Sequence, residues 1–287
     1  MAFDAGRRSI GAGLAVALLL TACGNEERRA PPQPAPPIQF EAVAVAGDTP
    51  RAALLRHGRR LAKVLGCEGC HGADLRGRLW SEEADFAIQY SSNLTRIAHS
   101  QSPAEIERGI RLGVRPDGSP LWEMPSAIFT HLSEPDMRAI LAYLRSLPAA
   151  GPDHLRIVMG PQARREIAAG QFRPAADQVR EGRNIFPAPL DGRHEEARYM
   201  VRATCGECHA LDLSGGGPPG GAVRPDLVVA GTYTREQFRH LMRTGEATGG
   251  RRLGLMAQVA RGRFIHLTDR ETDAIHDYLV ARANAPR

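Results

Sequence analysis

The chain has 287 residues, 43% of them apolar but only 5% aromatic, and carries a formal charge of +5. That length suits about two domains, and so few aromatic rings are scant for two independent cores, so a bulky apolar group other than side chains is expected to share the burial. The basic excess is almost all arginine, Lys63 being the only lysine; it is weak evidence for an acidic partner and none for nucleic acid.

The first 22 residues read as a secretion signal rather than part of the fold. Arg7 and Arg8 precede an apolar run at 10–20, too short to span a bilayer as a mature helix. Leu20-Thr21-Ala22-Cys23 resembles the bacterial lipobox, in which the cysteine becomes the lipidated first residue. Several acyl chains on Cys23 would anchor the chain stably, where one alone is marginal. Residues 23–48 read as a tether, made extended and semi-rigid by five prolines between 31 and 37. No later segment is apolar and long enough to cross a membrane.

A first unit is expected over 49–148. Thr49-Pro50 is an N-cap with proline at the first helical position, and Leu54, Leu61 and Leu65 share one helical face, with Gly58 leaving room for a second helix. Next comes Cys67-Glu68-Gly69-Cys70-His71, the C-x-x-C-H pattern of covalent haem c attachment. On a helical turn the two sulfurs can each meet a vinyl group while the histidine reaches the iron. Ser92-Asn93-Leu94-Thr95 reads as a loop. Ser102 and Glu105 form a capping box, and Met124-Pro125 falls in a loop before a last helix begun at Ser133. Residues 149–194 show little regular signal beyond a short helix near 163–169 and are read as a strap between two units.

A second unit over 195–287 repeats the first. Cys205-Gly206-Glu207-Cys208-His209 restates the attachment motif, so two motifs use four of the five cysteines and lipidation uses the fifth. At an offset of 138, Asp74-Leu75-x-Gly77 matches Asp212-Leu213-x-Gly215. At an offset of 132, Gly113, Gly118, Leu121 and Met124 match Gly245, Gly250, Leu253 and Met256. A zinc site or a redox dithiol would also use Cys-x-x-Cys, but neither predicts methionines at matching places. Met124 and Met256 are therefore the candidate axial ligands opposite His71 and His209, methionine raising the potential relative to two nitrogens. Met242 is read as core. Asn93 and Thr95 are candidate hydrogen-bond partners of a haem propionate.

On these residues each half resembles a class I c-type cytochrome: helix, Cys-x-x-Cys-His, loops, Met, final helix. The pair resembles the haem subunits of membrane-bound periplasmic dehydrogenases, such as those for alcohols and gluconate. Matching fragments are Asp74-Leu75-x-Gly77, Ser92-Asn93-Leu94-Thr95, Met124-Pro125 and Leu132-Ser133 with residues 142–148. Those subunits usually have three haems; this chain has two motifs. The expectation is an all-α protein of two tandem cytochrome c domains with two haem c groups. It would relay single electrons, held by its lipid on the periplasmic side of a bacterial membrane, between redox proteins such as a dehydrogenase or a terminal oxidase. It would not itself be an enzyme. The competing expectation is a di-haem enzyme, of the peroxidase or thiosulfate-oxidising kind, with one catalytic haem.

Overall fold

A hydroxyl cap and a proline start the first long helix, as the sequence demands. Thr49 accepts a hydrogen bond from the backbone N–H of Ala52, and helix α1 runs over Pro50–Val64. The computed structural model describes residues 38–217 and 223–286. The signal segment, Cys23 and the tether up to residue 37 fall outside the described residues. Roughly half of the described residues are helical.

Gly66, at φ +83°, breaks α1 from the one-turn helix α2 (Cys67–His71). Strands β1 (Leu79–Glu83) and β2 (Ala87–Tyr90) form an antiparallel hairpin. Helices α3 (Leu94–Ser100), α4 (Pro103–Leu112), the short α5 (Ser126–Phe129) and α6 (Glu134–Ser146) complete the first half. Ser102 and Glu105 make the expected capping box on α4. Helix α6 packs across α1 at Gly58, where an added Cβ would lie 1.9 Å from the carbonyl oxygen of Ala139. The glycine is there for backbone-to-backbone approach, which any side chain would prevent.

The all-α expectation needs one correction, a small three-stranded antiparallel sheet in the order β1-β2-β3. Its third strand, β3 (Val158–Met159), comes from the connecting segment. Along β2 Ala87 and Gln89 turn inward while Ile88 faces out, the period of two that a strand imposes. The connector is also more ordered than a strap. It carries α7 (Pro161–Ala168) and α8 (Ala175–Gly182). Val158 pairs with the hairpin, α8 lies on α4 and α5, and the carbonyls of Ile185 and Pro187 accept from Arg202 and Arg198 of the second half.

The second half opens with α9 (Glu195–His209), where helix and attachment motif run on without the break that Gly66 makes in the first. A 3-10 segment over Leu227–Thr232 takes the place of α3, followed by α10 (Arg235–Thr244), α11 (Leu255–Gly262) and α12 (Asp269–Asn284). Capping boxes at Thr234/Gln237 and Thr268/Glu271 start α10 and α12.

The two halves share one hydrophobic cluster, from Leu61, Ile128 and Leu144 to Val201, Ile275 and Leu279. Two buried carboxylates fasten the seam. Asp136 accepts from the Tyr199 hydroxyl at 2.6 Å and meets His57 Nε2 at 2.9 Å. Glu271 takes a two-pronged grip from Arg60, at 2.8 and 2.9 Å. Phe40 and Glu41, expected within the tether, instead lie across both, the N–H of Phe40 donating to Asp136 and that of Glu41 to Glu271, with Phe40 fully buried. Burial, and then the Asp136 charge, hold the Tyr199 hydroxyl well above the usual tyrosine range.

Candidate haem sites

After each attachment motif the chain makes the same sharp return. In the first half Gly72 (φ +83°) follows His71, Leu75 sits in the left-handed region at φ +58°, and Gly77 N donates to His71 O at 2.8 Å. In the second, Ala210 (φ +64°) follows His209, Leu213 adopts φ +68°, and Gly215 N donates to His209 O at 2.9 Å. Leucine and alanine at positive φ cost about 1–3 kcal/mol each, so their recurrence marks a return that packing must enforce. Leu75 and Leu213, both fully buried, then accept through their carbonyls from Leu94 and Leu227. That step brings the next segment back beneath the histidine.

The consequence is a matched histidine pair. His71 Nδ1 lies 2.8 Å from the carbonyl oxygen of Ser92, and His209 Nδ1 lies 2.8 Å from that of Pro225. A carbonyl only accepts, so the proton sits on Nδ1 and Nε2 carries the lone pair. This fixing of tautomer and ring direction is what an iron-binding imidazole requires of its surroundings. Burial lowers both histidine pKa values, which favours the neutral form a metal ligand must have. These two carbonyls are parts of the site that residue types could not reveal.

The surroundings of the cysteines are not those of an exchange-active dithiol. All four are free thiols. Burial pushes Cys67 and Cys205 up to about 11 and raises Cys70 and Cys208. Exchange-active dithiols have lowered pKa values instead. Among the described residues no three His, Cys, Asp or Glu side chains gather as they would around a bare metal ion.

Met124 and Met256 occupy corresponding places, each half-buried against the shared core that also receives Cys67 and Cys205. The approach is built alike in both halves. Leu121 N donates to Gly113 O and Leu253 N to Gly245 O, beside an isolated bridge between Val114 and Pro120 in one and Glu246 and Arg252 in the other. Glu123, held at φ +56° with its carboxylate accepting from the Trp80 indole at 2.8 Å, presents the next residue, Met124. Its charge reaches Cys70. The two methionines differ in one respect from a loop placement. Met124 precedes Pro125, which caps the short α5, whereas Met256 already lies in the first turn of α11. Alanine at 257 removes the proline restriction on the preceding residue, so the helix starts earlier. Gly245 makes room for it: a Cβ there would fall 2.0 Å from Ala257 Cα. Met242 is buried on α10, in the core.

Asn93 and Thr95 are engaged elsewhere. Asn93, only 3% exposed, caps α3 through its carbonyl oxygen and donates both amide protons to the carbonyls of Ala150 and Pro152, each at 2.8 Å. The Thr95 hydroxyl donates to Asn93 Oδ1 at 2.7 Å and accepts from Ala150 N. With every donor spent, the pair pins the connector to the segment that supplies Ser92, and neither side chain has a hydrogen left for a propionate. His131 and His99 likewise bind the backbone carbonyls of Arg183 and Leu147.

No protein-family model matches the chain. Relatives are found among curated proteins. The cytochrome c subunit of a quinone alcohol dehydrogenase from Gluconacetobacter polyoxogenes is 28% identical over 82% of this chain and 57% of its own length. The cytochrome c subunit of gluconate 2-dehydrogenase from Pantoea cypripedii is 26% identical over 83% of this chain and 61% of its own length. A dihaem c-type cytochrome from Cereibacter sphaeroides is 26% identical over 71% of this chain and 69% of that protein. The chain spans rather more than half the length of the dehydrogenase subunits it matches. Taken with the twofold C-x-x-C-H and the carbonyl-locked histidines, these relationships make the chain a homologue, over most of its length, of the cytochrome c subunits of dehydrogenases and of a dihaem cytochrome c.

Proposed function

We propose that this protein is a di-haem electron carrier serving a dehydrogenase. Cys67 and Cys70 would hold one haem c and Cys205 and Cys208 the other, with His71 and Met124, and His209 and Met256, as the axial pairs. Haem bound there supplies one-electron chemistry, and the protein supplies position and potential. With histidine and methionine holding each iron, no coordination position would remain for a substrate, so the chain would act as a carrier. The single observation that carries this reading is the matched histidine geometry: two C-x-x-C-H motifs, each followed by the same left-handed return and the same Nδ1-to-carbonyl lock.

Localisation and partnership extend the reading. Cys23 would be the lipidated first residue after signal cleavage, placing the carrier on the periplasmic side of a bacterial membrane. Among the described residues no helix is long and apolar enough to cross a membrane, so the lipid is the anchor this reading needs. Dehydrogenase subunits among the relatives favour a dehydrogenase as electron donor.

The test uses protein secreted by a host that attaches haem c. Its intact mass should show two haem adducts and a diacyl or triacyl group, and the ferric protein should show the absorption band of methionine-bound haem near the red edge of the visible spectrum, in an amount fitting two haems. Met124→Leu and Met256→Leu should each remove half of that band and lower one of two midpoint potentials. A band fitting one haem in the parent protein would instead favour the enzyme with an open iron, and no adduct would end the haem reading.

A further inference from the structure

Arg263 belongs to the second half, just beyond α11, yet its side chain lies against the first. Its Nε donates to Val64 O at 3.1 Å, and a Cβ on Gly66, the residue before Cys67, would sit 2.9 Å from its Cζ. Its Nη1 donates at 3.1 Å to Glu207, the residue before Cys208. One guanidinium therefore spans the lead-in to one attachment motif and the interior of the other. Its positive charge is the leading one at Cys67 and Cys205 and also reaches Cys70 and Cys208, where the Glu207 charge outweighs it. The reverse contact exists too. Gly206 of the second motif lies against Ile128, four residues after Met124, an added Cβ meeting its Cγ2 at 3.4 Å, and Arg202 donates to Ile128 O at 3.1 Å. Each motif thus abuts the other half a short way past that half's candidate methionine.

The charges around this contact do not cancel. Arg263 is 15% exposed, its Nη2 buried with no partner among the described residues, while Glu207 is 38% exposed. Water and salt screen the carboxylate more than the guanidinium, so toward the protein interior the cation dominates. A thioether places the edge of its porphyrin beside its cysteine, so both edges would face this cation. Ferric haem carries one more positive charge than ferrous, and a fixed cation nearby disfavours it.

We infer that Arg263 is a positioning residue shared by both haem sites, holding the two attachment motifs together and raising the reduction potential of both irons. The inference rests on the two-haem reading above. The experiment is a spectrally followed potentiometric titration of the full lipidated chain and its variants, after counting covalent haem by mass. Arg263→Gln should lower both midpoints by about a tenfold change in each reduction equilibrium, 59 mV for a one-electron couple. Arg263→Lys, which keeps the charge, should retain most of both potentials. Glu207→Gln, which frees the cation, should shift both upward, a sign that loosened packing alone would not give. Should Arg263→Gln fail to assemble, the Lys and Glu207 variants decide alone. Midpoints moving less than threefold in equilibrium, or movement at one haem only, would overturn the sharing. Fewer than two covalent haems in the parent chain would instead overturn the reading beneath it.

Discussion

Replacing Arg60 by methionine tests how the two halves are joined. Methionine keeps much of the arginine's apolar length and removes its charge and its five donors. In the parent chain that guanidinium makes a two-pronged pair with Glu271, which has no exposure, and also donates to the carbonyls of Glu41 and His266. Glu271 keeps only the backbone N–H groups of Glu41 and Thr268 and the hydroxyl-linked cap of its own helix. Breaking a buried pair by removing one partner costs about 3–5 kcal/mol. Arg60 is 15% exposed and water can reach its side of the vacated space, so the lower end applies, about 3 kcal/mol. Urea unfolding of the haem-loaded chain, followed in parallel by far-ultraviolet circular dichroism and haem absorption at each site, measures it. The expected result is a loss of that size, with the second half unfolding at lower urea than the first. A loss below about 1 kcal/mol would mean that the pair behaves like an exposed one, and the argument for a fastened seam would fail.

Gly58→Ala should destabilise the first half by about 3 kcal/mol or more, the upper part of the overpacking range, because the new methyl would meet the Ala139 carbonyl at 1.9 Å and neither helix backbone can give; a urea midpoint within 1 kcal/mol of the parent would contradict that contact. Acid should weaken the fold between about pH 7.5 and 5.5. His131 and His266 have folded pKa values held below the usual 6.5 by burial, so around and below pH 6.5 the unfolded chain binds more protons and stability drops as pH falls. Thermal midpoints that stay level or rise on acidification through that window would refute the sign. Asn93→Ala should loosen the connector, removing a helix cap and two buried hydrogen bonds, with a loss of about 2–3 kcal/mol and no change in either midpoint potential. A shift in potential would restore the propionate role that its bonding argues against.

What the sequence disclosed and what it withheld divide along a physical line. The attachment motifs and the capping boxes are local patterns, in which a few neighbouring residues fix the geometry by themselves, while the candidate methionines were marked by their matching places in the repeat. The hairpin at 79–90 was not legible, because polar Gln89 turns inward and apolar Ile88 outward, the reverse of what side-chain polarity predicts. The connector was no easier. Ala163 and Ala175 are fully buried, although alanine is a weak burial signal in a sequence, because their burial is imposed by the sheet and by α5. Asn93 reads equally well as a ligand contact or a cap until the carbonyls of Ala150 and Pro152, more than fifty residues on, are brought beside it.

The seam was the least legible part, and it bears most on function. Arg60 with Glu271 joins residues 211 apart, and Arg263 with Val64 joins residues 199 apart. Repeat matching aligns Arg60 with Arg198, which suggests one shared task, yet Arg60 crosses the seam to Glu271 while Arg198 stays with Glu195 and the connector's Pro187. Internal repetition reports what the two halves have in common, whereas a seam between them must be built from what they do not share, since identical faces meet only about a true twofold axis. Asp136 and Glu271 show this directly. Both are the third residue of a final helix, but one is answered by a tyrosine hydroxyl and a histidine and the other by an arginine. The two pairings cannot be exchanged, so they fix which surface of each half faces the other. A two-site electron carrier needs that fixed register, because the spacing of its cofactors is set wherever the halves are clasped.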